Sequence, residues 1–177
     1  MQDDETLVSS RHNPEMQEAN FRDALEESSE SPDRNGYGIR GLTADDAGAV
    51  HRIDRRLTGQ SREDYLARKI DEVINQSGIR VSLVAESDGL VVGYIMARLD
   101  YGEFGRTSAI AVIDTIGVDP GNPGAGTAML EQLFANLASL RLDGVRTIIR
   151  WDDTGMIHFL SKAGFEPGQQ LALRCVL

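Results

Sequence analysis

The segment that most limits what this chain can fold into is VDPGNPGAGTAML, starting at Val118, where an apolar strand passes through a glycine-rich turn into an amphipathic helix. The first amides of a helix have no internal partner and stand at the positive end of its dipole. Gly124 and Gly126 would let an anion reach that backbone with no Cβ in the way. Tight turns also need glycine, so the loop alone is a weak signal, and its position between strand and helix strengthens it. Two phosphate loops are excluded by order and content. A P-loop needs a lysine after its last glycine, whereas Thr127 directly follows Gly126. A dinucleotide fingerprint follows the first strand of its unit, and at least four strands precede this loop.

Those earlier strands are read from apolar patterning. Residues 39–42 form a short strand, and Thr43 opens a helix with acids in its first turn that runs through Val50, Ile53 and Leu57. A second helix from Ser61 buries Tyr65, Leu66, Ile70, Val73 and Ile74. Residues 81–86 and 91–99, joined by Ser87-Asp88-Gly89, make a hairpin, and residues 107–118 are a further strand. After the loop, Met129, Leu130, Leu133, Phe134, Leu137 and Leu140 fall at helical spacing. A strand over 145–151, a helix over 156–163 and a last strand over 171–176 complete the pattern, which is α/β in class.

The net charge of −10 has to be located before it can be interpreted. Residues 1–36 hold ten acids against three arginines, and the rest of the chain is close to balanced. That extension is polar, acidic and ends in turn-forming residues, so it reads as a largely disordered tail ahead of one domain over 37–177. Residues 13–27 carry a weak apolar face, and a helix docked on the domain is the alternative there. No Lys/Arg run offers a nucleic-acid surface, and no apolar stretch reaches the roughly 18–20 residues of a membrane span. With an acidic start, the chain reads as soluble and cytoplasmic. Its one cysteine, Cys175, reads as a small buried strand residue, and no Cys/His cluster suggests a metal.

The order strand, two helices, hairpin, strand, glycine loop, helix, strand, helix, strand resembles the GNAT N-acyltransferases over residues 39–177. The strand end Ile116-Gly-Val-Asp-Pro, the loop Pro123-Gly-Ala-Gly-Thr-Ala and the late Lys162-Ala-Gly-Phe-Glu carry that resemblance. It implies a central, mostly antiparallel mixed sheet of six to seven strands flanked by about four helices. It also implies acetyl-CoA as co-substrate, no metal and an amine acceptor, either a small polyamine-like molecule or a protein lysine or N-terminus. Many relatives are dimers, which leaves a homodimer open.

By the same resemblance, the pyrophosphate of coenzyme A lies on Gly124, Ala125, Gly126, Thr127 and Ala128. The amide of Ile116 faces the thioester oxygen, with Gly117 and Val118 along the pantetheine arm. The family's Gln/Arg position falls on Pro123, or on Gly121 in a second register, and proline has no N–H to offer. Where the family often has a tyrosine to protonate the departing thiolate, this chain has Leu160. Tyr94, Tyr101 or water are the remaining proton donors.

Asp114 is the candidate catalytic acid–base group. It lies in the otherwise apolar run 110–118, where desolvation would raise its pKa, and a two-residue separation puts it on the same strand face as Ile116. The competing role is a carboxylate paired with an arginine. Trp151, Asp152 and Asp153, at the expected end of the fifth strand, and Tyr101, in the loop before the fourth, are candidate acceptor-binding residues. His158 reads as a surface or packing residue. A non-catalytic acyl-CoA-binding module is the rival function, since Pro123 and Leu160 both depart from the family's pattern.

Overall fold

The computed structural model describes residues 36–102, 109–169 and 175. The expected tail, its helix over 13–27 and most of the last strand lie outside the described residues.

The sheet order is β1-β2-β3-β4-β5, formed by Gly38–Gly41, Leu83–Ser87, Leu90–Asp100, Ile110–Val118 and Val145–Thr147. The first four strands pair antiparallel and β5 runs parallel to β4, giving five strands among the described residues where six to seven were expected. The four helices are α1 (Ala47–Thr58), α2 (Glu63–Asp71), α3 (Ala125–Leu137) and α4 (Thr154–Lys162). None of the described helices is long and apolar enough to cross a membrane.

Alternation along the strands sends side chains to two cores. Ile39, Leu83, Ala85, Ile95, Ala97, Ala111 and Ile113 meet Ala128, Met129, Leu133 and Leu137 of α3 and Leu160 of α4. On the other face, Val84, Val91, Tyr94 and Met96 meet Val50, Ile53, Leu66, Ile70 and Val73. The molecule therefore has three layers, with α1 and α2 on one side and α3 on the other.

Several boundaries differ from the sequence reading. Thr43 precedes a short 3-10 turn, Ala44–Asp46, before α1 begins. Leu57 and Tyr65 are exposed, because both sit on the outer faces of their helices, and Arg62 lies over the Tyr65 ring at 5.5 Å. Beyond Asp71 the second helix widens into a π turn, Glu72–Gln76. β5 stops at Thr147, so Trp151 lies in a turn, 88% exposed, rather than at a strand end. Cys175 is exposed, not buried. His158 is exposed as well. Gly164, at φ 90°, closes α4: the Phe165 amide donates to the Leu160 carbonyl at 3.0 Å, and the Phe165 ring packs on Phe134.

The start of α1 is pinned electrostatically. Asp46 accepts from the Thr43 amide and hydroxyl at 2.8 and 2.9 Å and pairs with Arg40. Burial pushes the Asp46 carboxyl up, but the Arg40 and Thr43 hydrogen bonds together outweigh it and hold the carboxyl below its ordinary range. A depressed folded pKa stabilises the fold above the unfolded carboxylate value of about 3.9. That contribution is lost as pH falls through the lower folded value. Asp46→Asn should therefore flatten the acid limb of a plot of melting temperature against pH. An unchanged slope below pH ~4 would show that Asp46 contributes nothing to acid sensitivity.

Candidate active site

β4 changes character partway along. Its register on β3 pairs Ala97 with Ile113 but Met96 with Thr115, so Asp114 is the extra residue of a β-bulge. Ile113 and Ile116 both pack against the α3-side core. Asp114 and Thr115 both turn to the α1/α2 side, where Asp114 meets Lys69 and Thr115 hydrogen-bonds the Tyr94 hydroxyl. The expected common face for Asp114 and Ile116 is thus overturned: one inserted residue reverses the alternation between them.

The bulge coincides with the parting of β4 and β5. β5 pairs only with Ala111, Val112 and Ile113, and the Thr147 hydroxyl donates to the Ile113 carbonyl at 2.9 Å where the pairing ends. On the opposite edge the Asp119 amide donates to the Val92 carbonyl at 2.7 Å. Antiparallel strands alternate bonded and non-bonded pairs, so Gly117 faces β3 while the backbone groups of Ile116 and Val118 face away from it. They point to an edge with no strand on it among the described residues.

Gly117 has no room for a side chain. A Cβ there would lie 2.7 Å from the Tyr94 ring. Tyr94, 1% exposed, is held in turn: its hydroxyl donates to Asp54 at 3.4 Å, and Asp54 is buried against Arg62. Burial, opposed by the Thr115 hydrogen bond, pushes the Tyr94 hydroxyl up to about 12. A hydroxyl enclosed in this way on the α1 side is poorly placed to protonate a group at the open edge of β4.

The loop after β4 reaches α3 through Gly124, whose φ of 91° is left-handed. The Tyr37 hydroxyl donates to the Pro123 carbonyl at 3.0 Å, and Arg56 of α1 clasps the Asp119 carboxylate at 2.7 Å. Among the loop amides, Asn122 donates to Asp119, Ala125 to Asn122 and Ala128 to Gly124. The amides of Gly124, Gly126 and Thr127 have no hydrogen-bond partner among the described residues. Of the five residues expected at a pyrophosphate, Ala125 and Ala128 instead use their amides locally and bury their side chains. Gly126 also serves packing, since a Cβ there would lie 3.2 Å from Phe159 of α4.

The acidic candidates are all engaged. Asp114 does not sit alone in apolar surroundings: Lys69 Nζ is 3.2 Å and Arg98 Nε 3.3 Å from its Oδ2, and Glu72 completes the group by contacting both cations. No sequence signal links Lys69, Glu72 or Arg98 to Asp114; α2 and the β3–β4 pairing bring them together. Asp152 is exposed and pairs with Arg150, which lowers its pKa, while Asp153 accepts the Met156 amide at 3.0 Å as the N-cap of α4. Tyr101 is exposed at the end of β3. Leu160 is part of the α3-side core. Among the described residues no cluster of His, Cys, Asp and Glu could hold a metal ion.

A strand whose free edge opens at a bulge leads here through a glycine turn to a helix with uncommitted N-terminal amides, an arrangement with room and donors for an extended ligand ending in phosphate. The sequence matches the acetyltransferase (GNAT) family over residues 49–165, and the chain belongs to that family. No protein of curated function matches it in sequence.

Solved structures share its fold. An aminoglycoside N-acetyltransferase in complex with CoA has a TM-score of 0.64 at 15% identity, covering 79% of this chain and 94% of its own. A Trypanosoma brucei acetyltransferase has a TM-score of 0.60 at 22% identity, covering 80% and 99%. A transcriptional regulator from Bacillus halodurans has a TM-score of 0.64 at 13% identity, covering 80% and 99%. At these identities the likeness is one of fold.

Proposed function

We propose that the protein is an acetyl-CoA-dependent N-acetyltransferase acting on a primary amine. The observation that carries this reading is the coincidence of two unsatisfied backbone sets: the outward-facing groups of Ile116 and Val118, and the amides of Gly124, Gly126 and Thr127. These groups are mostly open to solvent, where water or a ligand can meet them, and a ligand with amides at one end and a pyrophosphate at the other would engage both sets. These residues therefore fit coenzyme A, despite the missing N–H at Pro123.

Acetyl-CoA supplies the acyl group as an activated thioester. In this reading the backbone of Ile116 and Val118 orients the bound arm, with the Ile116 amide toward the carbonyl oxygen, where a donor stabilises developing charge. The helix amides hold the phosphates. Asp114, on the opposite face at the bulge, orients the acceptor amine and helps remove its proton. A second reading, an acyl-CoA-binding module without turnover, is favoured by Leu160: the family's usual tyrosine position is filled by a core residue.

Calorimetric titration with acetyl-CoA tests the reading directly. The unaltered protein should bind at one site. Gly124→Val, which places a β-branched residue at positive φ, should weaken binding by about tenfold or more while the domain stays folded. Absence of binding to the unaltered protein would sink the enzyme and the binding-module readings together, and binding without acetylation of any amine would favour the module.

A further inference from the structure

We infer that the acceptor is a small amine that also carries a carboxylate, as an amino acid does, rather than a polyamine. The inference rests on the transferase reading above and names the acceptor class for that site.

The four charged groups beside the bulge form a closed ring of alternating sign. Lys69 Nζ lies 2.8 Å from Glu72 Oε2 and 3.2 Å from Asp114 Oδ2; Arg98 Nε lies 3.3 Å from Asp114 Oδ2 and 3.8 Å from Glu72 Oε1. Each anion touches both cations, and all four side chains keep some access to solvent. An approaching ammonium therefore meets Asp114 and Glu72 only in the company of Lys69 and Arg98. A ligand bearing several positive charges and no negative one would add repulsion at every step.

Arg98 is the part of the ring with capacity to spare. Its Nε is buried and makes no hydrogen bond, and its two terminal nitrogens make none among the described residues. A guanidinium carries five donors in a planar fork whose natural complement is a carboxylate. A zwitterion satisfies both halves of the ring: its ammonium replaces Lys69 at Asp114, and its carboxylate takes the free edge of Arg98.

The position suits transfer as well. Asp114 immediately follows Ile113, the last β4 residue paired with β5, and lies two residues before Ile116. Two strand residues span about 6.6 Å. An amine on the Asp114 carboxylate is thus close to the edge toward which the Ile116 amide points. In the transfer, the acceptor nitrogen bonds the acyl carbon as the carbon–sulfur bond breaks, and the sulfur keeps the electron pair. The ammonium loses two protons, one to the sulfur and one to solvent.

Matched acceptors that differ only in the carboxylate provide the test: L-lysine against cadaverine, and L-phenylalanine against 2-phenylethylamine. Thiol release at saturating acetyl-CoA should show kcat/KM at least about tenfold higher for the carboxylated member of a pair. Saturation-transfer NMR with CoA present should show the same preference in binding, without turnover. Arg98→Met should reduce the preference to within about twofold, mainly through the acceptor KM, and Arg98→Lys should keep part of it. Calorimetric affinity for acetyl-CoA should be unchanged in both variants.

Equal or better use of the decarboxylated partners, an undiminished preference in Arg98→Met, or acetyl-CoA binding with none of the four acceptors bound or acetylated would each overturn the inference. Failure of the transferase reading is distinguished by loss of acetyl-CoA binding in the unaltered protein.

Discussion

Gly117→Ala should destabilise the domain by about 1–3 kcal/mol, the usual cost of overpacking a tight core, and should weaken acetyl-CoA binding by about tenfold or more. The methyl group would stand 2.7 to 3.0 Å from three atoms of the Tyr94 side chain. That ring has nowhere to go, because its hydroxyl is engaged by Asp54 and Thr115 and its body is buried between the sheet and α1. The strain must then appear in β4, where the backbone of Ile116 and Val118 would swing off line. Denaturant unfolding and calorimetry on the same samples separate the two effects. A double variant, Gly117→Ala with Tyr94→Leu, should recover much of the lost binding, since the smaller side chain leaves space for the methyl. If the single variant binds acetyl-CoA normally, β4 is not braced by Tyr94.

Removing the Arg62 guanidinium is the second large perturbation. Asp54 is 2% exposed and ion-paired with Arg62, so Arg62→Ala leaves a buried carboxylate with only the Tyr94 hydroxyl and a 3.4 Å contact. Orphaning one member of a buried pair costs about 3–5 kcal/mol, and because the Arg62 side chain is itself 38% exposed the loss should fall at the lower end of that range. In a domain of this size that corresponds to a fall in melting temperature on the order of 10 °C. Adding Asp54→Asn should restore part of the loss, because a neutral amide is cheaper to bury than an unpaired charge. A drop of only a degree or two in Arg62→Ala would mean that water reaches Asp54 and replaces the guanidinium.

The parts of this architecture that were legible in sequence are those with a single clear period. The hairpin and the helix after the glycine loop follow from local pattern, and the structure has both; Thr43 marks a turn into the first helix, with a short 3-10 segment between them. The helix before the hairpin is legible on its inner face, while Tyr65 reads as part of its buried stripe yet is exposed, since apolar character does not by itself mean burial. The bulge was not legible. Residues 110–118, IAVIDTIGV, are apolar in both phases of the alternation, so nothing in the pattern marks where the phase changes.

The site divides in the same way. The strand end and glycine turn proposed to hold the cofactor are contiguous in the chain, so their succession was legible. The site's charged half was not. Lys69 and Asp114 are 45 residues apart, and only the packing of α2 over the β3–β4 pair brings them to 3.2 Å. Arg56 and Glu72 are only 16 residues apart, on either side of the α1–α2 turn, yet Arg56 braces the glycine loop through Asp119 and Glu72 joins the ring beside the bulge.

The extra residue at Asp114 gives one strand two phases. Upstream of it, the inward positions are set by what α3 requires of Ala111 and Ile113; downstream, by what the open edge requires of Ile116 and Val118. Each half is free to drift in sequence without dragging the other through the sheet. Deleting Asp114 would return β4 to a regular ladder in which Ile113, Thr115 and Ile116 alternate simply and the backbone groups of Ile116 and Val118 still face outward. What the inserted residue adds is therefore a second consecutive side chain on the α1/α2 face, the carboxylate that meets Lys69 and Arg98, while the open backbone edge stands without it.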